Sequence, residues 1–152
     1  MGRAQPRLLH RRHLGLSYRE FDTGRGPWLL PTTTPVQFEP GPLRATVLRL
    51  MSYRPDSIYL THYGRIGDVQ RLGADLLEQL VAMVALGRSL RDEPDRHEAI
   101  KRGLMQQYQA RVASHGCRFT PDEVERLLAS VKDEVASYED LSLGRRDRRR
   151  PV

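Results

Sequence analysis

The sequence has one cysteine, only two lysines and no long apolar run. A single thiol, Cys117, excludes an internal disulfide and suits a reducing compartment, so we expect a cytoplasmic protein. A membrane helix needs about 18 consecutive apolar residues, and none is present, so we expect no membrane partner. Residues 1–14 are basic but lack the apolar stretch of a secretion signal.

Acidic residues are almost absent from both ends of the chain, and the formal net charge of +6 is concentrated there. Residues 1–14 and 144–152 each carry +4, and the remainder carries −2. Nucleic-acid-binding domains usually gather basic residues on one face. The body shows no such excess, so nucleic acid is not an expected partner. We predict that the arginine-rich segment 144–152 is disordered.

Apolar spacing predicts a mostly helical chain with few strands. Residues Leu16, Tyr18 and Phe21 indicate one short strand, and a largely apolar stretch at 57–61 indicates another. Thr120, followed by Pro121 and by Glu123 at the third position after it, predicts a capping box. The predicted helices are 42–53, 67–90, 95–114 and 120–139.

Several polar residues allow both a structural and a functional interpretation. Asp68, at the start of the second predicted helix, fits a capping role better than a contact with His62. His97 and His115 lie in charged or helix-end positions, and we expect both to be solvated. Cys117 lies between His115 and Arg118, which could favour its thiolate, but an ordinary small residue at a helix end is favoured.

His62 stands just past the predicted strand 57–61, where α/β sheets commonly place their ligands. A lone histidine in that position is more often structural, so a functional interpretation of His62 depends on the surrounding sequence. Three segments support it: GLSYREFDT at 15–23, PTTTPVQF at 31–38 and YLTHYG at 59–64. Together, and in this order with a helix between the second and third, they resemble the glyoxalase-like branch of the metallo-β-lactamase-fold hydrolases.

The resemblance covers residues 15–90 and implies a fold. The family is an αββα sandwich, of which this α/β chain would hold the C-terminal half, with few short strands and many helices. The chain then divides into a basic segment 1–14, the C-terminal part of the fold domain at 15–92, a helical extension at 93–143 and the tail 144–152. We expect any homo-oligomer to form through the extension, and we expect exposed apolar sheet surface where the other half is missing.

The resemblance also implies chemistry. The family hydrolyses ester, thioester or related bonds of small-molecule substrates with a dinuclear centre of zinc or iron. His62 matches the last histidine ligand of that centre. Tyr63, Thr33 and Thr34 would lie on the substrate side; alternatively, Tyr63 packs against its neighbours and the threonines are ordinary loop residues.

Most of the family's metal ligands are missing. The sequence has no His-x-His-x-Asp-His motif, and Arg12 stands where the resemblance places a bridging aspartate in a Gly-Asp-Thr turn. One imidazole cannot hold a catalytic zinc, which takes about three protein ligands. We therefore expect a truncated hydrolase that binds no metal stably and is inactive alone.

The mismatch with the family's Gly-Asp-Thr turn, just before Gly15, can be explained by a shifted reading frame. His10–His13 can be encoded as CAC CGG CGA CAC, which from its second base reads Thr-Gly-Asp-Thr. We infer that residues 1–14 are translated out of frame. The alternative from a different class is a non-enzymatic helical binding module, whose arginine-rich tail contacts RNA or an acidic partner.

Overall fold

The computed structural model describes residues 7–9, 15–31, 39–60 and 63–128. Within these ranges the chain is mostly helical with a small sheet, broadly as expected for an α/β protein. None of the helices in these ranges is long and apolar enough to cross a membrane. The elements are β1 (Arg7–Leu9), a 3₁₀ helix (Arg19–Phe21), α1 (Pro40–Ser52), β2 (Ser57–Leu60), β3 (Gly64–Ile66), α2 (Val69–Ser89), α3 (Arg96–Ser114) and α4 (Pro121–Leu127).

The sheet has β2 as its middle strand. β1 runs parallel to β2, with Leu9 opposite Tyr59, and β3 runs antiparallel to β2, with Ile58 opposite Ile66. Because β1 and β2 are parallel, their carboxyl ends lie at the same edge of the sheet. At this edge β1 ends at Leu9 and β2 ends at Leu60.

Helices α1 and α2 cover one face of the sheet. Ile58, Leu60 and Ile66 share that face, since side chains alternate along a strand. Their exposed fractions are 1%, 6% and 2%, because they pack against Val47, Leu50, Val69, Leu72 and Leu76. Helices α1 and α2 therefore cover this apolar face of β2 and β3 from within the chain. The expectation of apolar sheet surface exposed by a missing half stays a prediction.

A second apolar core joins the segment 15–31 to the C-terminal helices. Phe21 lies 5.3 Å from Trp28 and 5.7 Å from Phe119 between ring centroids, and Trp28 lies 6.3 Å from Tyr108, all with edge-to-face geometry. The buried residues around them come from α2, α3, α4 and the residue that follows α4: Leu80, Met83, Ile100, Leu104, Val112, Val124 and Leu128. Helix α2 contributes to both cores and so connects them.

The structure confirms the first three predicted helices, which begin and end within two residues of their predicted bounds. The capping box is also confirmed, because Thr120 Oγ1 accepts from the Glu123 amide at 3.3 Å and the Glu123 carboxylate accepts from the Thr120 amide at 2.8 Å. The predicted continuation of the last helix to residue 139 lies outside the described residues, as does the tail.

Two strand predictions need correction. Leu16 forms only an isolated antiparallel bridge with Leu30, and the chain then turns into the 3₁₀ helix that holds Phe21. The prediction of a turn leading directly from His62 into α2 missed β3, which lies between them. β3 has three residues, including a glycine and an arginine, so it shows no alternating pattern to detect.

Candidate functional site

The candidate site lies at the edge of the sheet where β1 and β2 end. β2 ends at Leu60, two residues before His62, and β1 ends at Leu9, three residues before Arg12. His62 lies outside the described residues, as do Thr33 and Thr34. Tyr63 is described, and it is the predicted site residue from which the geometry can be built.

Tyr63 is held by two residues of the segment 15–31. Its hydroxyl donates to the Asp22 carboxylate, with oxygen–oxygen distances of 2.6 and 2.7 Å. The Arg19 guanidinium lies 4.0 Å from the Tyr63 ring centroid, and its Nη2 donates to the Tyr63 carbonyl oxygen at 3.3 Å. Arg19 also lies 3.6 Å from the Asp22 carboxylate. We call these residues the Arg19–Asp22–Tyr63 cluster.

The cluster brings together two of the three segments that carry the family resemblance. Arg19 and Asp22 come from the first segment, and Tyr63 comes from the third, 41 residues or more along the chain. The sequence identified Tyr63 but missed Arg19 and Asp22. A signal was present, because opposite charges three residues apart inside a resembling segment suggest an ion pair.

Partial burial raises the pKa of Tyr63 to about 12, and the hydrogen bond to Asp22 contributes further. The phenol therefore keeps its proton at neutral pH and acts as a hydrogen-bond donor, with Asp22 as its acceptor. A protonated phenol bound to a carboxylate is a structural contact rather than a nucleophile. Contact between Tyr63 and a substrate stays a prediction.

The other end of the segment 15–31 is held by His115, which was expected to be solvated. His115 is instead buried, with 8% of its surface exposed. Its Nε2 lies 2.9 Å from the Gly26 carbonyl oxygen, which can only accept, so Nε2 carries the proton. The Thr23 hydroxyl donates to the His115 carbonyl oxygen at 3.1 Å. The expectation failed because the contacts come from residues about 90 positions away.

Cys117 shows no sign of an activated thiolate. Burial raises the pKa of its thiol above the ordinary value, and the negative charge of Asp22 acts in the same direction. Its Sγ contacts the Phe21 carbonyl oxygen at 3.6 Å. These contacts agree with the interpretation of Cys117 as an ordinary small residue following a helix.

A charged cleft of about 580 Å³ lies between α2, the end of α3 and the loop at residues 25–28. Its guanidinium groups are already bound: Arg71 to Asp68 and Asp75, Arg111 to Glu78, and Arg25 to the Ser114 carbonyl oxygen. Asp68 lies at the N-cap position of α2, as predicted, but its side chain makes no capping hydrogen bond and pairs with Arg71 instead. The cleft is an ion-pair network that joins these elements.

The residues that the structure describes do not by themselves fit a dinuclear metal centre. In the part of the chain that the structure describes, no group of three or more His, Cys, Asp or Glu side chains could hold a metal ion. A catalytic zinc takes about three protein ligands, and the sequence near the candidate edge offers His62 on one side and Arg12 on the other.

No family model, curated protein or solved structure matches this chain.

Proposed function

We propose that this chain is the C-terminal part of a metallo-β-lactamase-fold hydrolase of the glyoxalase-like branch. The full-length parent would be a cytoplasmic enzyme that cleaves an ester, thioester or related bond at a dinuclear metal centre. The chain itself would be inactive. The observation that carries the proposal is the parallel pairing of β1 with β2.

The pairing supports the proposal for a geometric reason. In the family, the bridging aspartate and the last histidine bind the same pair of metals, so the two residues lie close together. Strands that end side by side place the residues after them close together, and β1 and β2 end in this way, with Leu9 opposite Tyr59. β1 lies within residues 1–14, before the segments that carry the resemblance. Backbone pairing also does not require the side chains that a shifted frame would change.

The proposed inactivity follows from the ligands. Arg12 would place a cation where the family has a carboxylate, and a guanidinium repels a metal ion rather than binding it. His62 would then be a single ligand without partners. The binding-module alternative depends on residues 144–152, which lie outside the described residues, so no structural observation favours it.

The gene and its repaired product test the proposal. Codons 8–16 should spell Thr-Gly-Asp-Thr in the shifted frame, and codons that cannot do so would remove the frame hypothesis. Restoring the frame and supplying the N-terminal half should give a protein that binds metal by elemental analysis. The present chain should hydrolyse ester and thioester substrates no faster than background.

Two histidine variants make the test specific to His62. In the repaired protein, His62→Ala should lower metal content and reduce hydrolysis by more than about tenfold, since removing a ligand should cost at least what removing its supporting contacts costs. His97→Ala, a matched change on α3, should alter neither quantity. Chelator-sensitive turnover by the present chain, or a repaired His62→Ala protein with full metal and rate, would contradict the assignment.

A further inference from the structure

Helix α2 has one side that is exposed along nearly its whole length. Residues three or four positions apart return to the same side of a helix. The exposed positions on this side are Gln70, Ala74, Glu78, Val81, Ala85 and Arg88. The opposite side of α2 carries the buried residues that pack in the two cores. We call these six exposed residues the outer stripe of α2.

The centre of the outer stripe is apolar. Val81 is 63% exposed, more than any other large hydrophobic residue in the described part of the chain. Ala85, the next position of the stripe, is exposed as well. No residue from 79 to 87 carries a charge. A single exposed valine is ordinary on a protein surface. Here it lies within an uncharged stretch of helix, which suits contact with another apolar surface.

Opposite charges lie on either side of this apolar centre. Glu78 lies one turn before Val81, and Arg88 lies one turn after Ala85. The Glu78 side chain is 73% exposed even though it lies 3.3 Å from the Arg111 guanidinium, so it remains at the surface. Arg88 is also exposed. Along the helix, the stripe therefore reads acid, valine, alanine, base.

This order is complementary to itself when the helix is reversed. In an antiparallel pair with Val81 of one copy opposite Ala85 of the other, Glu78 lies opposite Arg88 at both ends. The match arises because Glu78 precedes Val81 by as many residues as Arg88 follows Ala85. Shifting the pair by one turn would instead place Glu78 opposite Val81. The charges therefore favour one register, and they identify a second copy of this chain as the complementary surface.

We propose that the outer stripe of α2 binds the same stripe of a second copy, antiparallel and about a two-fold axis. Such an interface uses the same surface on both chains. Charge pairs at its ends mainly set the register, and contact between the apolar centres supplies most of the affinity. The dimer depends neither on metal nor on the proposed function. It also differs from the expected oligomer through the extension 93–143, because the contact lies on α2.

The proposed dimer is weak. A standard interface takes about 20–30 residues from each chain, and the outer stripe has far fewer. We expect a dissociation constant of about 100 μM. At the low micromolar concentrations of spectroscopic unfolding measurements, the chain is then monomeric.

Sedimentation equilibrium on the full chain tests the proposal. From about 10 μM to about 1 mM, the wild type should show a monomer–dimer equilibrium. Glu78→Arg and Arg88→Glu each place like charges at both ends of the interface, so each alone should weaken the dimer by more than about tenfold. An equal mixture of these two variants should restore it, because every acid then faces a base. The mixture also controls for the lost contact between Glu78 and Arg111.

Two further variants locate the interface. Val81→Glu places a charge in the apolar centre and should abolish dimerisation while leaving the circular dichroism spectrum unchanged, since Val81 is exposed. Ala110→Glu is the matched control, because Ala110 is an exposed position on α3, within the extension. It should leave the dissociation constant unchanged.

A wild type that stays monomeric at every concentration would overturn the proposal and leave the outer stripe to another occupant, such as the missing half or a different protein. A dimer that Ala110→Glu abolishes and Val81→Glu leaves intact would also overturn it, because the contact would lie on the extension. Failure of the mixed charge variants to associate would overturn the antiparallel register.

Discussion

At the scale of single residues, Gly15 determines how the segment 15–31 folds back on itself. Leu16 and Leu30 exchange two backbone hydrogen bonds of 2.9 and 2.8 Å. Gly15 precedes this bridge with a φ of 84°, and a Cβ at this position would overlap the carbonyl oxygen of Leu30. The close approach and the positive φ therefore both require glycine. The bridge in turn places Arg19 and Asp22 near the sheet.

Gly15→Ala should lower the free energy of unfolding by about 1–3 kcal/mol, because alanine meets both a disfavoured φ and a backbone atom. Denaturant unfolding followed by Trp28 fluorescence measures the change. Gly24→Ala is the matched control, since a Cβ at Gly24 meets nothing within 4 Å. It should change stability by less than about 0.5 kcal/mol. Equal effects of the two variants would contradict this account.

At the scale of elements, α4 begins through local chemistry. Thr120 and Glu123 bind each other's backbone amides, and Pro121 occupies the first helical position, where its missing amide proton is not needed. The Thr120 backbone amide, and then its side chain, hold the pKa of Glu123 below its ordinary value. Glu123 is therefore ionised at neutral pH and accepts these bonds as a carboxylate.

Removing the capping box should destabilise α4 in a pH-dependent way. Thr120→Ala should cost about 1 kcal/mol at pH 7. For Glu123, the folded-state pKa lies below the unfolded value of 4.5, so its contribution is complete above that pH and disappears as pH falls through the folded-state pKa. The difference in melting temperature between wild type and Glu123→Gln should decrease accordingly below pH 4.5.

Glu125→Gln is the control for this series, since Glu125 lies on α4 outside the capping box. Its melting temperature should not follow the pH dependence of the Glu123→Gln difference. A Glu123→Gln difference that stays constant between pH 7 and pH 3 would show that the carboxylate does not contribute through its charge.

At the scale of the whole molecule, α2 and Phe21 connect the parts of the chain. The amino-terminal half of α2 packs on the sheet with α1, and its carboxyl-terminal half packs with α3 and α4. Phe21 brings the segment 15–31 into the second core through edge-to-face contacts with Tyr18, Trp28 and Phe119. The helical extension proposed to begin at residue 93 is therefore packed against residues near the candidate site.

Phe21→Ala should lower the free energy of unfolding by about 3–5 kcal/mol, the usual cost of removing a buried aromatic ring. Helix content by circular dichroism and Trp28 fluorescence should be lost together, because the described cores share α2. Val81→Ala is the control, since Val81 is 63% exposed on α2 and should change stability little. Loss of the fluorescence transition alone would show that the two cores unfold independently.

Local chemistry in the sequence determined most of the helices. Leu72, Leu76, Leu80 and Met83 recur at helical spacing, so α2 can be predicted from its buried stripe. The capping box is visible in the same way, because both of its side chains act within one turn. The segment that contains His62 is continuous in sequence. The family resemblance could therefore be stated from the sequence and assigned to a single residue.

Only the tertiary structure decided which distant residues meet. The Arg19–Asp22–Tyr63 cluster, the burial of His115 and the parallel pairing of β1 with β2 each join positions that are 41 to 92 residues apart. No periodicity records such contacts, because they depend on how α1 and α2 pack on the sheet and on the turn at Gly15. The sequence by itself therefore identified the residue proposed as a ligand, and packing decided which residues contact Tyr63 beside it.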